Sequence, residues 1–328
     1  MTREISYRDA ITEALAEEMR RDPRVVILGE DVTAPMWPTA PLAVEFGEER
    51  VRNTPLSEAA FTGAGVGAAM TGLRPVVDLQ FASLLYCAVE QIADQAAKNR
   101  YMFGGQATIP MVITCSLSHG GSVAAHHSDR TYPMFMNIPG LKIVCPTTPR
   151  DVKGLLKSAI REDDPVIVFE DNNVLMSKGE VGGEDDLVAI GSADVTIEGT
   201  DVTVVGVASA VACAVEAATE LASGGISAEV IDVRTLVPLD TPTILASVRK
   251  TGHLVVVDPA ARTCSAASEI AAIAAEHAFG DLRGPVVRVT SPDVVVPFSP
   301  ALEQLLYPTA EKVVDGVRAS LAARTPVG

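Results

Sequence analysis

The sequence predicts an α/β protein of two domains, each a mainly parallel sheet flanked by helices. Short apolar segments of strand length alternate with amphipathic segments of helix length along the chain. Strands that are apolar throughout and separated by helices form parallel sheets covered on both faces. The 328 residues suffice for two hydrophobic cores. Aromatic residues are few, so small aliphatic side chains do most of the packing, as in helix-covered sheets.

The first half of the chain contains four clear strand patterns and three helix patterns. The strands are predicted at 24–31, 74–81, 109–116 and 164–171, and the helices at 7–19, 83–102 and 147–160. The third helix has the best-defined start, because Thr148 can cap it, Pro149 suits its first turn and Asp151 follows three residues after the cap.

Residues 174–195 interrupt this rhythm with glycines and acidic residues and are predicted to be a linker. A second α/β series follows, with strands at 201–209, 226–235, 253–258 and 284–290. Its last two helices are expected after Ser265 and from about Ala310. The predicted domains are therefore residues 1–185 and 186–328.

Composition excludes several classes of function. The net charge of −16 argues against nucleic acid or an anionic membrane as a partner. No apolar run reaches the roughly 18 residues of a membrane span, and Met1 precedes charged, helix-patterned sequence, not a signal peptide. The five cysteines are odd in number, widely spaced and without a CxxC pair, which is typical of reduced thiols in a cytoplasmic protein.

Three segments could carry chemistry, and the first is the glycine-rich "GAGVG" at 63–67. It lacks GxGxxG spacing and lies in a helix pattern, so close helix packing explains it better than phosphate binding. There is also no P-loop motif. A doubly wound nucleotide-binding protein of another family is therefore a weak alternative.

The second segment is the loop "SVAAHHSD", which follows the strand at 109–116. Loops beyond the carboxyl ends of parallel strands are where open α/β sheets bind ligands. A neutral imidazole from His126 or His127 could move protons there, although a solvated loop histidine is an equally good interpretation. The spacing of these histidines does not match a zinc site.

The third segment places Glu58 at the head of a stretch made almost wholly of Gly, Ala and Thr. An acidic residue in the first turn of a helix is common, because the helix dipole favours it. The small neighbours also favour a binding site, since they would let a flat ligand or another backbone approach the carboxyl group. Such a group could hydrogen-bond a basic ring nitrogen.

Eight motifs together resemble, in order and over nearly the whole chain, the E1 beta subunits of 2-oxoacid dehydrogenase complexes. They are "ILGEDV", "TPLSEAAFTGAGVGAAMTGLRPVVDLQF", "EQIADQAAKNRYMFGG", "AAHHSD", "IPGLKIVCP", "DVKGLLKSAIREDDPVIVFE", "AEVIDVRTLVPLD" and "VVPFSPALEQLLYP". The acetoin dehydrogenase beta branch is the most similar, followed by the pyruvate and branched-chain branches. The resemblance implies a transketolase-like pyrimidine-binding domain followed by a transketolase C-terminal-like domain.

The resemblance also implies a thiamine diphosphate enzyme whose site is shared between two chains. The partner is an E1 alpha subunit in an alpha2-beta2 assembly, and it holds the diphosphate through Mg²⁺. The substrate is a 2-oxoacid or acetoin, and a lipoyl-bearing E2 accepts the acyl unit. This chain would then hold the aminopyrimidine and form half of an active site.

The resemblance assigns roles to particular residues. Glu58 matches the glutamate that hydrogen-bonds the pyrimidine N1′ and promotes loss of the thiazolium C2 proton, and His127 matches a histidine that handles protons near the substrate or the lipoyl group. Glu30, Gln80 and Leu84 match positions of the cofactor pocket. A structural K⁺ ion, held mostly by backbone carbonyls, would lie at Met111, Ala159, Ile160, Glu162 and Asp164.

Three departures from the family pattern bear on the substrate. Leu84 stands where an aromatic residue is common, after Ser83 in place of Asp or Asn. The loop 114–121 lacks the usual Arg-Gly-Pro-rich turn, and the segment after "GEDV" is shortened. They leave two alternatives open: a thiamine enzyme that condenses or cleaves carbonyl compounds without a lipoyl partner, and a non-catalytic beta-like subunit.

Overall fold

The computed structural model describes residues 3–118 and 120–322. His119, in the segment 114–121 that departs from the family pattern, lies outside the described residues. The chain divides into two compact units, the first formed by Met1–His119 and His126–Ile190 and the second by Gly120–Ala125 and Gly191–Gly328. Both contain a mainly parallel sheet flanked by helices, which confirms the predicted fold class.

The first unit is built on parallel strands in the order β6-β7-β5-β4-β2-β3. A separate antiparallel pair joins β1 to β8. The strands are β1 (Arg3–Ser6), β2 (Val25–Gly29), β3 (Val51–Asn53), β4 (Arg74–Phe81), β5 (Val112–Leu117), β6 (Lys142–Val144), β7 (Val166–Asp171) and β8 (Lys178–Val181). The helices are α1 (Tyr7–Arg21), α2 (Ala40–Phe46), α3 (Glu58–Met70), α4 (Ala97–Met102), α5 (Tyr132–Met136) and α6 (Pro149–Arg161).

The second unit has the strand order β14-β13-β10-β11-β9, in which only β9 is antiparallel to its neighbour. Its core is made of valines and alanines, as the composition predicts. The strands are β9 (Asp194–Ile197), β10 (Val202–Gly206), β11 (Ala228–Asp232), β12 (Thr235–Val237), β13 (Leu254–Ala261) and β14 (Val287–Ser291). The helices are α7 (Ala210–Ser223), α8 (Thr241–Thr251), α9 (Ala266–His277), α10 (Pro300–Glu303) and α11 (Ala310–Ala322).

Several local predictions can be compared directly with these elements. Thr148 caps α6, since its hydroxyl oxygen accepts a hydrogen bond from the Asp151 amide at 3.1 Å. The helix predicted at 83–102 is helical but irregular: it runs as a 3-10 helix (Ala82–Ala88), a π-helix (Gln91–Ala96) and then α4. The predicted linker contains β8, and the first unit ends at Ile190 where the predicted boundary is 185. No helix of the described ranges has the length and hydropathy needed to cross a membrane.

Two buried lysines of α6 fasten this helix to α1. Lys157 is fully buried; its ammonium group lies 3.1 Å from the Glu17 carboxylate and donates to the Glu184 carbonyl at 2.9 Å. Lys153, also buried, lies 2.8 Å from Glu17 and donates to the Gly182 carbonyl. Buried charges are tolerated only when paired and hydrogen-bonded in this way.

We expect Lys157→Met to destabilise the chain, because it leaves carbonyl groups and part of the Glu17 charge buried without their donor. The expected loss is about 3 kcal/mol, or roughly 6–12 °C in Tm, measured by thermal unfolding. The exposed Lys178 provides the matched control, and Lys178→Met should change Tm by little. A Lys157→Met protein as stable as its control would refute the structural role of this ion pair.

Candidate active site

The site is centred on Glu58, the first residue of α3. The small residues behind it let this helix lie close to the sheet: a Cβ atom on Gly65 would come within 2.6 Å of a Val77 methyl group in β4. The "GAGVG" segment therefore serves helix packing at Gly65, as predicted. Glu58 itself is half-buried, and its carboxylate has no hydrogen-bond partner among the described residues.

Glu30 lies beside Glu58, directly after the carboxyl end of β2. The preceding Gly29 allows β2 and β4 to approach closely, because a Cβ there would come within 2.3 Å of the Asp78 carbonyl oxygen. Glu30 is 4% exposed, and its Oε2 atom has no hydrogen-bond partner. Burial, followed by the nearby carboxylates of Glu58, Asp31 and Asp78, raises the pKa of Glu30 to about 6. This site therefore contains an acid that can hold a proton close to neutral pH.

Gln80 lies in a bulge of β4. Asp78 is opposite Thr114 of β5 and Phe81 is opposite Ser116, so β4 has one extra residue in this interval. Gln80 adopts a φ of 55°, in the left-handed region that side-chain-bearing residues rarely occupy. Its side-chain amide donates to the Glu30 carbonyl at 2.7 Å. The bulge thus ties the end of β4 to the end of β2.

His127 contacts the end of the same strand. Its ring meets the Phe81 ring edge to face, with centroids 4.5 Å apart and an interplanar angle of 83°. Phe81 also contacts Trp37 in the same manner, at 6.0 Å. The Thr131 hydroxyl donates to the Ala82 carbonyl at 3.1 Å, which fastens the loop after His127 to the start of the 3-10 helix.

Leu84 is half-buried in the 3-10 helix that packs against α3. The exposed thiol of Cys87 lies on the same helical segment, and burial, then Glu58 and Glu30, raises its pKa. Cys87 therefore lies within electrostatic range of both carboxyl groups. The structure therefore places Glu30 and Glu58 near each other, and the segment that carries Leu84 packs against the helix of Glu58. Gln80 and His127 lie around the end of β4.

Buried polar atoms without protein partners occur on the elements around Glu58. Besides Glu30 Oε2, they include the hydroxyls of Thr54, Thr62 and Ser83 and the Trp37 indole nitrogen. Buried polar atoms in native proteins almost always have a hydrogen-bond partner, protein or otherwise. Their number here fits a ligand with several polar atoms, and the Glu30–Glu58 pair fits one with a basic nitrogen.

The five predicted K⁺ ligands are Met111, Ala159, Ile160, Glu162 and Asp164. The carbonyl oxygens of Ile160 and Glu162 accept hydrogen bonds from the Arg74 guanidinium, at 2.9 and 2.7 Å. The carbonyl of Ala159 accepts from the Glu162 amide, and that of Met111 accepts from the Val166 amide. All four backbone oxygens are thus already engaged by N–H donors.

The acidic side chains of this group are also paired. The Asp164 carboxylate lies 2.6 Å from Arg100, and the Glu162 carboxylate lies 2.6 Å from Lys142. Three cationic side chains, Arg74, Arg100 and Lys142, therefore lie close to this group of residues. The K⁺ site gains no support from the structure and stays a prediction. Across the described residues, no group of three or more His, Cys, Asp or Glu side chains is arranged to hold a metal.

Four residues near the site were not predicted: Asp78, Glu170, Phe81 and Trp37. Asp78 could have been found as an acidic residue inside the otherwise apolar strand "RPVVDLQF". Strands covered on both faces rarely contain a charged residue, so one that occurs there points to a specific function. Glu170 follows "VIVF" in the same way. Nothing in the sequence indicated that Phe81 faces His127, because that contact depends on the bulge.

Comparison with known protein families gives two matches along the chain. Residues 3–178 match the profile described as "Transketolase, pyrimidine binding domain", and residues 191–313 match "Transketolase, C-terminal domain". The first match contains Glu30, Glu58, Gln80, Leu84 and His127. The chain belongs to the transketolase-like family of E1 beta subunits.

Two relatives of this E1 beta-family chain, each 44% identical, illustrate its place in the family. One is the "Acetoin:2,6-dichlorophenolindophenol oxidoreductase subunit beta" of Cupriavidus necator, with 98% of each chain covered. The other is the "2-oxoisovalerate dehydrogenase subunit beta" of Bacillus subtilis, with 96% of this chain and 98% of the relative covered. A solved structure described as "Split gene transketolase, inactive beta4 tetramer" superposes with a TM-score of 0.81 at 26% identity, covering 98% of this chain and 99% of its own. The predicted resemblance to E1 beta subunits is therefore confirmed.

Proposed function

We propose that this chain is the pyrimidine-binding half of a thiamine diphosphate-dependent enzyme that cleaves acetoin or a 2-oxoacid. The observation that carries the proposal is the carboxyl pair of Glu58 and Glu30. Both groups lie on the profile-matched pyrimidine-binding domain, and each has an oxygen atom without a protein partner. Burial, followed by the nearby Glu58 carboxylate, raises the pKa of Glu30 to about 6.

Bound thiamine diphosphate would supply a nucleophilic carbon that adds to the substrate carbonyl. Glu58 would hold the aminopyrimidine by a hydrogen bond to its ring nitrogen and move a proton at that atom. Glu30 would supply or receive that proton, since its own pKa lies about 6. Gln80 and Leu84 would line the pocket, and His127 would move a proton on the substrate side.

The remainder of the site would come from a partner chain. We propose an alpha subunit that holds the diphosphate and Mg²⁺, in an alpha2-beta2 assembly. The split-gene transketolase that superposes on this chain is described as inactive when it is a tetramer of beta chains, which supports a need for a second type of chain. A lipoyl-bearing E2 as acyl acceptor and a cytoplasmic location complete the proposal.

Reconstitution tests this function. The chain would be assayed alone and with an alpha subunit from the same source, with thiamine diphosphate and Mg²⁺, on acetoin, pyruvate and 2-oxoisovalerate with a dye as electron acceptor. We expect turnover only from the mixture, and on at least one of these substrates. Turnover by the chain alone, or none from the mixture, would contradict the proposal. Adding a lipoyl domain then separates an E1 component, which acylates it, from a thiamine enzyme that works without E2.

A further inference from the structure

A small, partly open cavity lies in the first unit, beside the β4 bulge. Its volume is about 120 Å³, and Asp78 of β4 and Glu170 of β7 both line it. Asp78 pairs with Thr114 across β4 and β5, and Glu170 pairs with Ser116 across β7 and β5. All four therefore project from the same face of the sheet, and the two acidic residues face one small space.

The carboxylate of Asp78 holds the bulge. Its Oδ1 atom accepts a hydrogen bond from the Gln80 backbone amide at 2.8 Å, and the carboxylate also interacts with the Thr114 hydroxyl. The Ser116 hydroxyl donates to the Gln80 carbonyl from the other side. Gln80 reaches Glu30 through its side chain, so the unusual φ of Gln80 is fixed at three points. A negatively charged acceptor makes the first of these bonds stronger than a neutral one would.

The charge of Asp78 makes ionisation of Glu170 harder. Burial, and then the Asp78 carboxylate, raises the pKa of Glu170 to about 8, while burial raises that of Asp78 to about 6. The other ionisable groups around the pair are Glu30, Tyr7 and Cys115. Burial raises the pKa of the Tyr7 phenol and the Cys115 thiol far above neutral, so both stay uncharged.

We infer that Asp78 is a positioning residue of the candidate active site. Its carboxylate holds the β4 bulge in the conformation that presents Gln80 to Glu30 and Phe81 to His127, and Glu170 lines the same cavity. Asp78 acts through the backbone of β4, by its hydrogen bond to the Gln80 amide. The expected effect of Asp78 on catalysis rests on the proposed function, whereas its effect on the bulge does not.

Trp37 offers a readout that needs no catalysis. It is the only tryptophan of the chain, it lines the cavity, and its ring contacts Phe81. In a pH titration of Trp37 fluorescence on the full chain, we expect one change near pH 6 and another near pH 8. Asp78→Asn should reduce the first change, to which Glu30 also contributes, and move the second to lower pH, and Glu170→Gln should abolish only the second. A titration identical in all three proteins would overturn the inference.

Turnover of the chain with its alpha subunit tests positioning. Asp78→Ala leaves the Gln80 amide without its acceptor and should lower kcat about tenfold, with the KM for substrate little changed. Asp78→Asn keeps a neutral oxygen acceptor and should recover most of that loss. If Asp78→Ala does not fold, Ser116→Ala removes another anchor of Gln80 and should also lower kcat.

Two results separate this inference from the proposed function. Wild-type turnover in both Asp78→Ala and Ser116→Ala, alongside a Glu58→Gln protein that is inactive, would overturn the positioning role and leave the thiamine proposal standing. A Glu58→Gln protein with full activity would overturn the thiamine proposal, and the Trp37 titration would still decide whether Asp78 and Glu170 control the bulge. An Asp78→Asn protein as impaired as Asp78→Ala would show that acceptor geometry is not what Asp78 provides.

Discussion

Replacing Glu58 with Gln should lower the turnover of the assembled enzyme by about 10²–10⁴-fold, the range of general acid–base catalysis. The amide has nearly the same shape as the carboxyl group, so α3 and its packing on β4 should be unchanged. The amide cannot gain and release a proton as a carboxyl group does, which is the role proposed for Glu58. The measurement is kcat with the alpha subunit, thiamine diphosphate and Mg²⁺ at saturating substrate.

The control for this substitution is Glu49→Gln, which makes the same chemical change at an exposed position. It should leave kcat within about twofold. Cofactor affinity should fall far less than kcat in Glu58→Gln, since a hydrogen bond from an amide to the ring can remain. Equal turnover in Glu58→Gln and Glu49→Gln would favour a non-catalytic beta-like subunit.

Replacing His127 with Asn should lower kcat by about 10²-fold, again the scale of a lost proton-transfer group. The imidazole is half-buried, its ring meets Phe81, and it has no hydrogen-bond partner among the described residues. It is therefore available to a substrate. Because His127 is proposed to act on the substrate side, the affinity for thiamine diphosphate should stay close to that of the wild type.

The chain supplies a matched control one residue earlier. His126 is exposed and has no proposed catalytic role, so His126→Asn should retain kcat within about twofold. The comparison also distinguishes the loss of the His127 imidazole from a general disturbance of the loop, which both variants would share. A larger loss of kcat in His126→Asn than in His127→Asn would show that the proton-transfer role does not belong to His127.

Local patterns predicted the scaffold and the placement of the main carboxyl group. Apolar strand segments and the Thr148 cap follow from side-chain periodicity and capping, which act over a few residues. Glu58 was predicted at the head of a packed small-residue helix, and it lies there. The meeting of Glu30, Gln80 and His127 near strand ends also follows from the sheet, because parallel strands carry their loops to one edge.

Other features depend on how distant segments align and could not be predicted. The bulge at Gln80 exists because β4 has one more residue than β5 between two paired positions, which the sequence of β4 alone does not show. The same alignment brings Asp78 and Glu170, which are 92 residues apart in the sequence, to one cavity. Arg74 likewise reaches the carbonyls of Ile160 and Glu162 only in the folded chain.

The irregular helix after β4 shows how packing can override a pattern. Residues 83–102 have good helix formers, and a regular helix was predicted. The segment instead begins as a 3-10 helix and passes through a π-helix before α4. Gln91, at the start of the π-helix, lies against Gly63 of α3. The change in helical pitch therefore occurs where the two segments pack closely.

The central claim is that this chain forms half of a thiamine diphosphate site, and native mass spectrometry tests it most directly. The protein would be purified from its source with thiamine diphosphate and Mg²⁺ present, so that natural partners and cofactor are retained. We expect a complex of two copies of this chain, two larger partner chains and two cofactors. A homo-oligomer of this chain without cofactor would contradict it.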